Sequence, residues 1–247
     1  MYESLPVFAR PEKKVEKIFP REIGAPELEM IERKLEDKEA VIFDFDGTLV
    51  DAEPVLIQIV NDLAPELGYA PITPEQIPEL RKMGAKSFVL KRLGISLWRI
   101  RSLERRAREE YAKRIKDVVV FPGMKEVVEK LKRAGYRTGV ISSNATSSIE
   151  QVLKQADIEV DFIASGSLFG KAKSIQNTLQ EQELDSKEVI YIGDELRDVE
   201  ASQKSKVDVI AVTWGLNEQK ALEEAGAVTV NTPAELLEKL VISSPPQ

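Results

Sequence analysis

From Pro122 to the C-terminus, short apolar segments alternate with segments of helical periodicity, and this alternation constrains the fold more than any other feature of the chain. Apolar strands separated by amphipathic helices predict a parallel sheet covered by helices on both faces. The predicted strands span residues 40–45, 138–142, 162–164, 189–192 and 209–212. The predicted helices span residues 124–133, 147–155, 172–182, 196–204, 217–224 and 233–240. We therefore predict an α/β fold with a doubly wound, Rossmann-like parallel sheet.

Residues 53–117 interrupt this pattern and predict helices only. Helical periodicity recurs in 55–67, 74–81, 86–93 and 97–116, with glycines and prolines between the segments. We interpret 53–117 as a helical insert in a core made of 39–52 and 118–241. Residues 1–38 are an N-terminal extension with a helical pattern at its end, and 242–247 are a short tail.

The last helix of the insert is rich in arginine. Arg99, Arg101, Arg105, Arg106 and Arg108 lie among glutamates. Interleaved charges on a helix are typical of a solvated face rather than of a nucleic-acid surface. We therefore predict that this helix points its charges into solvent.

Composition excludes several classes of site. The 247 residues include no histidine and no cysteine, so the common zinc sites, disulfides and serine–histidine triads are excluded. Acid–base or metal chemistry must then use carboxylates. A net charge of −7 argues against nucleic-acid binding. Apolar runs shorter than a membrane span and an N-terminus without a secretory pattern predict a cytoplasmic protein that binds no membrane.

Polar side chains gather where the predicted strands end. Asp44 and Asp46 end the first strand, Ser143 and Asn144 follow 138–142, and Asp194 follows 189–192. Lys171 begins the helix after 162–164. Ligands of open parallel sheets bind at the carboxyl ends of the strands. We expect these side chains to share one cleft.

These residue types fit phosphoryl chemistry with magnesium. Two carboxylates as close as Asp44 and Asp46 repel each other unless a cation or a shared proton relieves them. A divalent ion fits that need, and Mg²⁺ prefers oxygen ligands. Asp44, Asp194 and a backbone carbonyl near Asp46 are the predicted ligands.

Other residues predict contacts with the phosphoryl group. Gly47, Thr48 and Ser143 offer a cradle for phosphoryl oxygens. Lys171 offers the positive charge that phosphoryl transfer needs, with Lys173 as the alternative.

Each signal also has an ordinary structural explanation. Asp46-Gly47 is a common turn sequence, Ser143-Asn144 can cap a helix, and single lysines are usually solvated. Asp44 is different, because a carboxylate in a buried apolar strand is costly without a partner. The joint occurrence of these residues at successive strand ends favours a functional site.

Four motifs resemble those of the haloacid dehalogenase superfamily. They are Phe43-Asp-Phe-Asp-Gly-Thr-Leu49, Val140-Ile-Ser-Ser-Asn144, Lys171 and Ile192-Gly-Asp-Glu-Leu-Arg-Asp198, and the match spans about 39 to 241. The resemblance implies that the insert is a helical cap domain. It also implies that Asp44 is the nucleophile and Asp46 the general acid and base.

The same resemblance implies roles for the remaining motif residues. Thr48 and Ser143 correspond to phosphoryl ligands, and Lys171 to a charge clamp. Asp194 corresponds to a magnesium ligand, and Asp198 supports the metal site without contacting the ion. Glu195 replaces a second aspartate found in some members.

The implied function is a Mg²⁺-dependent phosphomonoester hydrolase that acts on a small phosphorylated metabolite through an aspartyl-phosphate. Asp51-Ala-Glu-Pro54 and Phe121-Pro-Gly123 most resemble phosphoglycolate phosphatases. Asp46 argues against a dehalogenase, and the lack of histidine argues against a mutase that uses a cap histidine. A nucleotide or sugar phosphatase, a phosphonatase using Lys82, Lys86 or Lys91, and a non-catalytic binding protein are the alternatives.

Overall fold

The computed structural model describes residues 38–241, and a six-stranded parallel sheet lies at its centre. The strand order is β5-β4-β1-β6-β7-β8. The strands are β1 Ala40–Phe43, β4 Arg137–Ser142, β5 Phe162–Ser165, β6 Val189–Gly193, β7 Asp208–Val212 and β8 Val228–Val230. The predicted doubly wound α/β fold is confirmed.

Helices cover both faces of this sheet. They are α5 Met124–Arg133, α6 Thr146–Gln155, α7 Lys171–Glu181, α8 Leu196–Ser205, α9 Gln219–Glu224 and α10 Pro233–Val241. Alternate residues of β1 face opposite sides, so that Val41 and Phe43 belong to one apolar cluster and Ala40 and Ile42 to another. All four side chains are fully buried, which explains why this strand is an unbroken apolar run.

Residues between 53 and 117 are helical, as predicted, but less regular than their periodicity indicated. They form α1 Glu53–Leu67, α2 Ile77–Leu80, α3 Ala85–Ser87 and α4 Ile100–Lys113. Phe88–Arg92 is a π-helical turn, and Pro74–Gln76, Leu97–Arg99 and Ile115–Asp117 are 3₁₀ turns. These turns lie within or at the end of the predicted segments, because apolar spacing over so short a stretch does not distinguish the types of helix.

Two short strands were not predicted. β2 Val50–Asp51 and β3 Val119–Val120 pair antiparallel at the two ends of the helical insert. Two-residue strands have no periodicity to recognise. The division into core and cap stays a prediction, and the N-terminal extension up to residue 37 and the tail from 242 lie outside the described residues.

The order of connections reverses at β1. The chain leaves β1 for β4 and β5 on one side, then returns for β6, β7 and β8 on the other. Phe43 pairs with Val140 of β4 and Ile192 of β6, so the carboxyl ends of these three strands are level. This is the place where open α/β sheets bind ligands.

Candidate active site

Asp44 and Lys171 form the centre of the cluster at this edge of the sheet. β1 ends at Phe43, two residues earlier than predicted, and the Asp44 N–H still donates to Ile192 O (2.7 Å). Lys171 Nζ lies 2.6 Å from Asp44 Oδ2 and 2.7 Å from Asp198 Oδ1. Lys173 is exposed to solvent, so the geometry favours Lys171 as the cation of the site.

Burial and the neighbouring charges shift the pKa values of Asp44 and Lys171. Desolvation raises the pKa of the Asp44 carboxyl, and the neighbouring Lys171 ammonium opposes that rise. Desolvation also disfavours charged Lys171, but Asp198 and Asp44 outweigh it and hold the Lys171 pKa above its ordinary value. Lys171 therefore stays protonated at neutral pH.

Two hydrogen-bond donors hold the side chain of Asp46. Asn144 Nδ2 donates to Oδ2 (2.6 Å), and the hydroxyl of Tyr111 donates to Oδ1 (2.7 Å). Desolvation raises the pKa of Asp46 to about 7, and the hydrogen bond from Tyr111 opposes the rise. Tyr111 lies on α4 and was not predicted, because helical periodicity identifies it only as a core residue.

Asp194 is fully buried and held from two sides. Thr48 Oγ1 donates to its Oδ1 (2.8 Å), and the Leu216 N–H donates to its Oδ2 (2.7 Å). Gly47 has a φ of +81°, and a Cβ there would lie 2.1 Å from Asp194 Oδ2. Only glycine fits this turn. The Thr48 hydroxyl is engaged with Asp194, whereas the sequence predicted it as a phosphoryl ligand.

Asp198 and Arg197 complete the cluster from α8. Asp198 Oδ2 accepts the backbone N–H groups of Asp194 (3.2 Å) and Glu195 (2.9 Å), which fixes the loop after β6. Arg197 pairs with Glu195 (2.5 Å) and lies 3.9 Å from Asp44 Oδ2. Arg197 was not predicted, because an arginine on a helix is usually solvated.

The donor set fits a hard divalent cation. Carboxylate oxygens of Asp44, Asp194 and Asp198 lie within 4.8 Å of one another. With Asp46 and Glu195, five carboxylates face the two cations Lys171 and Arg197, and burial raises the pKa of Asp194 well above its ordinary value. A bound cation would relieve this excess of negative charge. Oxygen-only donors suit Mg²⁺ rather than softer metals.

A cavity of about 240 Å³ opens beside these residues. Its polar end includes Asp46, Gly47, Ser143, Asn144 and Asp194. Its other walls come mainly from apolar side chains of the insert, among them Leu56, Val60, Ile72, Phe88 and Leu103. The arrangement can hold a small molecule with one end against the carboxylates.

The arginine-rich helix only partly matches the predicted solvated face. Arg105 and Arg106 pair with Glu109, and Arg106 also pairs with Glu66, all at the surface. Arg108 instead turns inward and lines the cavity. The prediction is therefore wrong for Arg108, because charge interleaving does not reveal which side of the helix meets the core.

No helix described between residues 38 and 241 is both long and apolar enough to cross a membrane.

Comparison with known proteins gives consistent matches. The family model described as haloacid dehalogenase-like hydrolase matches residues 41–212. A phosphoglycolate phosphatase of Synechococcus elongatus is 32% identical over 204 residues, which cover 81% of this chain and 96% of the relative. An N-acetylmuramic acid 6-phosphate phosphatase of Pseudomonas aeruginosa is 24% identical over 81% of this chain and 94% of its own.

A solved structure described as a predicted phosphatase from Clostridium acetobutylicum has the same fold. It superposes with a TM-score of 0.72 at 25% identity, and the match covers 83% of this chain and 99% of that structure.

Proposed function

Because the chain belongs to the haloacid dehalogenase-like hydrolase family, as its motifs predicted, we propose that it is a magnesium-dependent phosphatase that forms an aspartyl-phosphate on Asp44. The observation that carries the proposal is the contact of Asp44 with Lys171 at 2.6 Å, beside an Asp46 carboxyl that two donors orient. A nucleophile, a neutralising cation and an acid–base group thus meet at one end of the sheet.

Asp44 and Asp46 divide the chemistry. An Asp44 oxygen attacks phosphorus, the bond from phosphorus to the leaving oxygen breaks, and Asp46 gives its proton to that oxygen. In the second half, Asp46 takes a proton from water, the water oxygen attacks phosphorus, and the bond to Asp44 breaks. Phosphate leaves and both carboxyls return to their first state. A pKa of about 7 for Asp46 suits a group that both gives and takes a proton.

The surrounding residues hold charge and geometry. Asp44, Asp194 and the backbone carbonyl of Asp46 would hold Mg²⁺, and Asp198 would orient the loop that carries Asp194. The ion supplies positive charge that stabilises the phosphoryl oxygens. Lys171 adds charge beside the nucleophile.

The phosphoryl oxygens need donors of their own. Gly47, Thr48, Ser143 and Asn144 are the proposed phosphoryl-binding residues. Gly47, Ser143 and Asn144 line the cavity and support this role directly. Thr48 contributes through Asp194, to which its hydroxyl donates.

A small phosphorylated metabolite is the proposed substrate, and phosphoglycolate is the first to test. The name of the Synechococcus elongatus relative and the small cavity support this choice. The phosphonatase alternative is less favoured, because Lys82, Lys86 and Lys91 are not among the described residues that line the cavity. In the same proposal, 53–117 is a cap domain over a core of 39–52 and 118–241.

The net negative charge of the chain and the carboxylates of the site also indicate which kinds of partner the protein binds. The net charge of −7 supports a small-molecule substrate rather than nucleic acid. The predicted cytoplasmic location and the absence of a membrane partner remain part of the proposal.

The test is the Asp44→Asn variant, measured with phosphoglycolate and a generic phosphomonoester, with and without Mg²⁺. We expect wild-type turnover that needs the ion, a transient phosphoryl group on the peptide carrying Asp44, and no turnover by the variant. Asp62→Asn is the matched control, because Asp62 lies on the surface of the insert and pairs with Arg114. Full turnover by Asp44→Asn in a clean preparation would refute the nucleophile assignment.

A further inference from the structure

Arg108 is anchored across the boundary between the insert and the strand ends. Its Nε donates to Ser143 O (2.7 Å), and its Nη2 donates to Gly166 O. These carbonyls follow β4 and β5. A guanidinium has five N–H donors, so Arg108, which lines the cavity, has further N–H groups that a ligand could use.

Arg108 lies on the same helical face as a residue that contacts the acid–base carboxyl. Tyr111 follows it by three positions on α4 and donates to Asp46 Oδ1. Ser143, which accepts from Arg108, precedes Asn144, the second donor to Asp46. The guanidinium is therefore close to the place where the leaving oxygen would receive its proton.

The charge of Arg108 is not neutralised by a carboxylate of the described residues. The other two arginines that line the cavity do have such partners: Arg81 pairs with Glu53 (2.6 Å) and Arg197 with Glu195 (2.5 Å). Glu104, one turn before Arg108, instead accepts the Leu168 N–H (2.6 Å). Arg108 is thus a half-buried cation that faces a cavity with mostly apolar walls.

A cation in such surroundings attracts an anion more strongly than it would in water. A guanidinium matches the planar geometry of a carboxylate with two parallel N–H donors. The phosphoryl end of a substrate already has Lys171. The charge of Arg108, which no carboxylate of the described residues neutralises, is therefore available for a second anionic group on the same small molecule.

We propose that Arg108 binds a carboxylate on the leaving alcohol and so selects phosphate esters of short hydroxy acids. This inference rests on the proposed function and deepens it. The apolar walls contact the carbon chain between the two anionic groups, and the distance from Arg108 to Asp46 limits the length of that chain.

The experiment compares phosphoglycolate with ethyl phosphate, which lacks the carboxylate. For each substrate, kcat/KM is measured for wild type, Arg108→Met and Arg108→Lys. Because Arg108 would make charge-assisted hydrogen bonds to the carboxylate, we expect Arg108→Met to lower kcat/KM on the order of 10- to 100-fold more for phosphoglycolate than for ethyl phosphate. The loss should come mainly from a higher KM. Arg108→Lys keeps the charge and should recover part of that selectivity.

Arg105→Met is the matched control, because Arg105 lies on the same helix but pairs with Glu109 at the surface. This variant should have the same kcat/KM as wild type for both substrates. Equal losses on both substrates in Arg108→Met would show that Arg108 only braces the two carbonyls, which would overturn the inference alone. If the wild type hydrolysed neither of the two esters, the proposed function would be overturned and the inference with it.

Discussion

Replacing Lys171 tests the electrostatics of the site most directly. The ammonium lies 2.6 Å from Asp44 Oδ2 and 2.7 Å from Asp198 Oδ1, and the exposed fractions of the three side chains are 6%, 1% and 0%. Lys171→Met keeps most of the side-chain volume and removes the charge. Two buried carboxylates then lose their shared cation.

The expected cost follows from this burial. Removing one partner of a buried ion pair destabilises a protein by about 3–5 kcal/mol, because the remaining charge is left without compensation. A domain of ordinary stability has about 5–15 kcal/mol in total, so the variant should fold with a clearly reduced margin. Lys173→Met is the matched control, and an exposed substitution should change the free energy of unfolding by no more than about 0.5 kcal/mol.

The assay is urea unfolding in the presence of a chelator, followed by circular dichroism. The same unfolding measurement at several pH values tests whether the loss of stability grows or shrinks as pH rises. Burial already raises the pKa of Asp44 above 3.8 while Lys171 lowers it, so removing Lys171 should raise the pKa further. A carboxyl with a raised folded-state pKa binds more protons when folded, so its contribution to stability falls as pH rises.

The difference between Lys171→Met and wild type should therefore grow as pH rises from the ordinary aspartate pKa of 3.8 towards neutral pH. Lys171 itself contributes no slope there, because its pKa lies above 10.5. Equal midpoints for the Lys171 and Lys173 variants, or a difference that shrinks with rising pH, would refute the reasoning.

Two further predictions concern the metal and the acid–base group. Mg²⁺ at about 100 times its dissociation constant should stabilise wild type by roughly 2.7 kcal/mol in a thermal-unfolding assay, and Asp194→Asn should reduce that shift strongly; an unchanged shift would place the ion elsewhere. Tyr111→Phe should lower kcat by roughly 10-fold or more and move the alkaline limb of kcat/KM to higher pH, because the lost hydrogen bond holds the pKa of Asp46 down. Tyr69→Phe loses a comparable bond to Val60 O and should leave both quantities unchanged.

The fold could be predicted because its signals are local. β1 is an apolar run between charged residues, and Met124–Arg133 has the helical period that the structure shows. The insert was harder, since Phe88–Arg92 forms a π-helical turn that has the same apolar spacing as an α-helix over so short a stretch. β2 and β3 depend on pairing across about 70 residues, which local patterns do not encode.

The site divides in the same way. Asp44, Asp46, Ser143 and Asp194 follow strands, so the topology of a parallel sheet is enough to bring them together. Lys171 could be separated from Lys173 only by the structure, where one side chain is buried between two carboxylates and the other is exposed. Residues two apart on a helix point in different directions, and the sequence does not show which of the two faces the strand ends.

Tyr111 and Arg108 show why the remaining part of the site lies beyond sequence patterns. Both come from α4 and reach residues at the ends of β1 and β4, and that approach depends on how the insert packs on the sheet. One helical face thus supplies a donor to Asp46 and a cation to the cavity. If α4 moved away from the strand ends, Asp46 would lose the hydrogen bond from Tyr111. The leaving group would at the same time lose Arg108, its proposed binding partner. Substrate recognition and proton transfer would then depend on one packing contact, that of α4 with the strand ends.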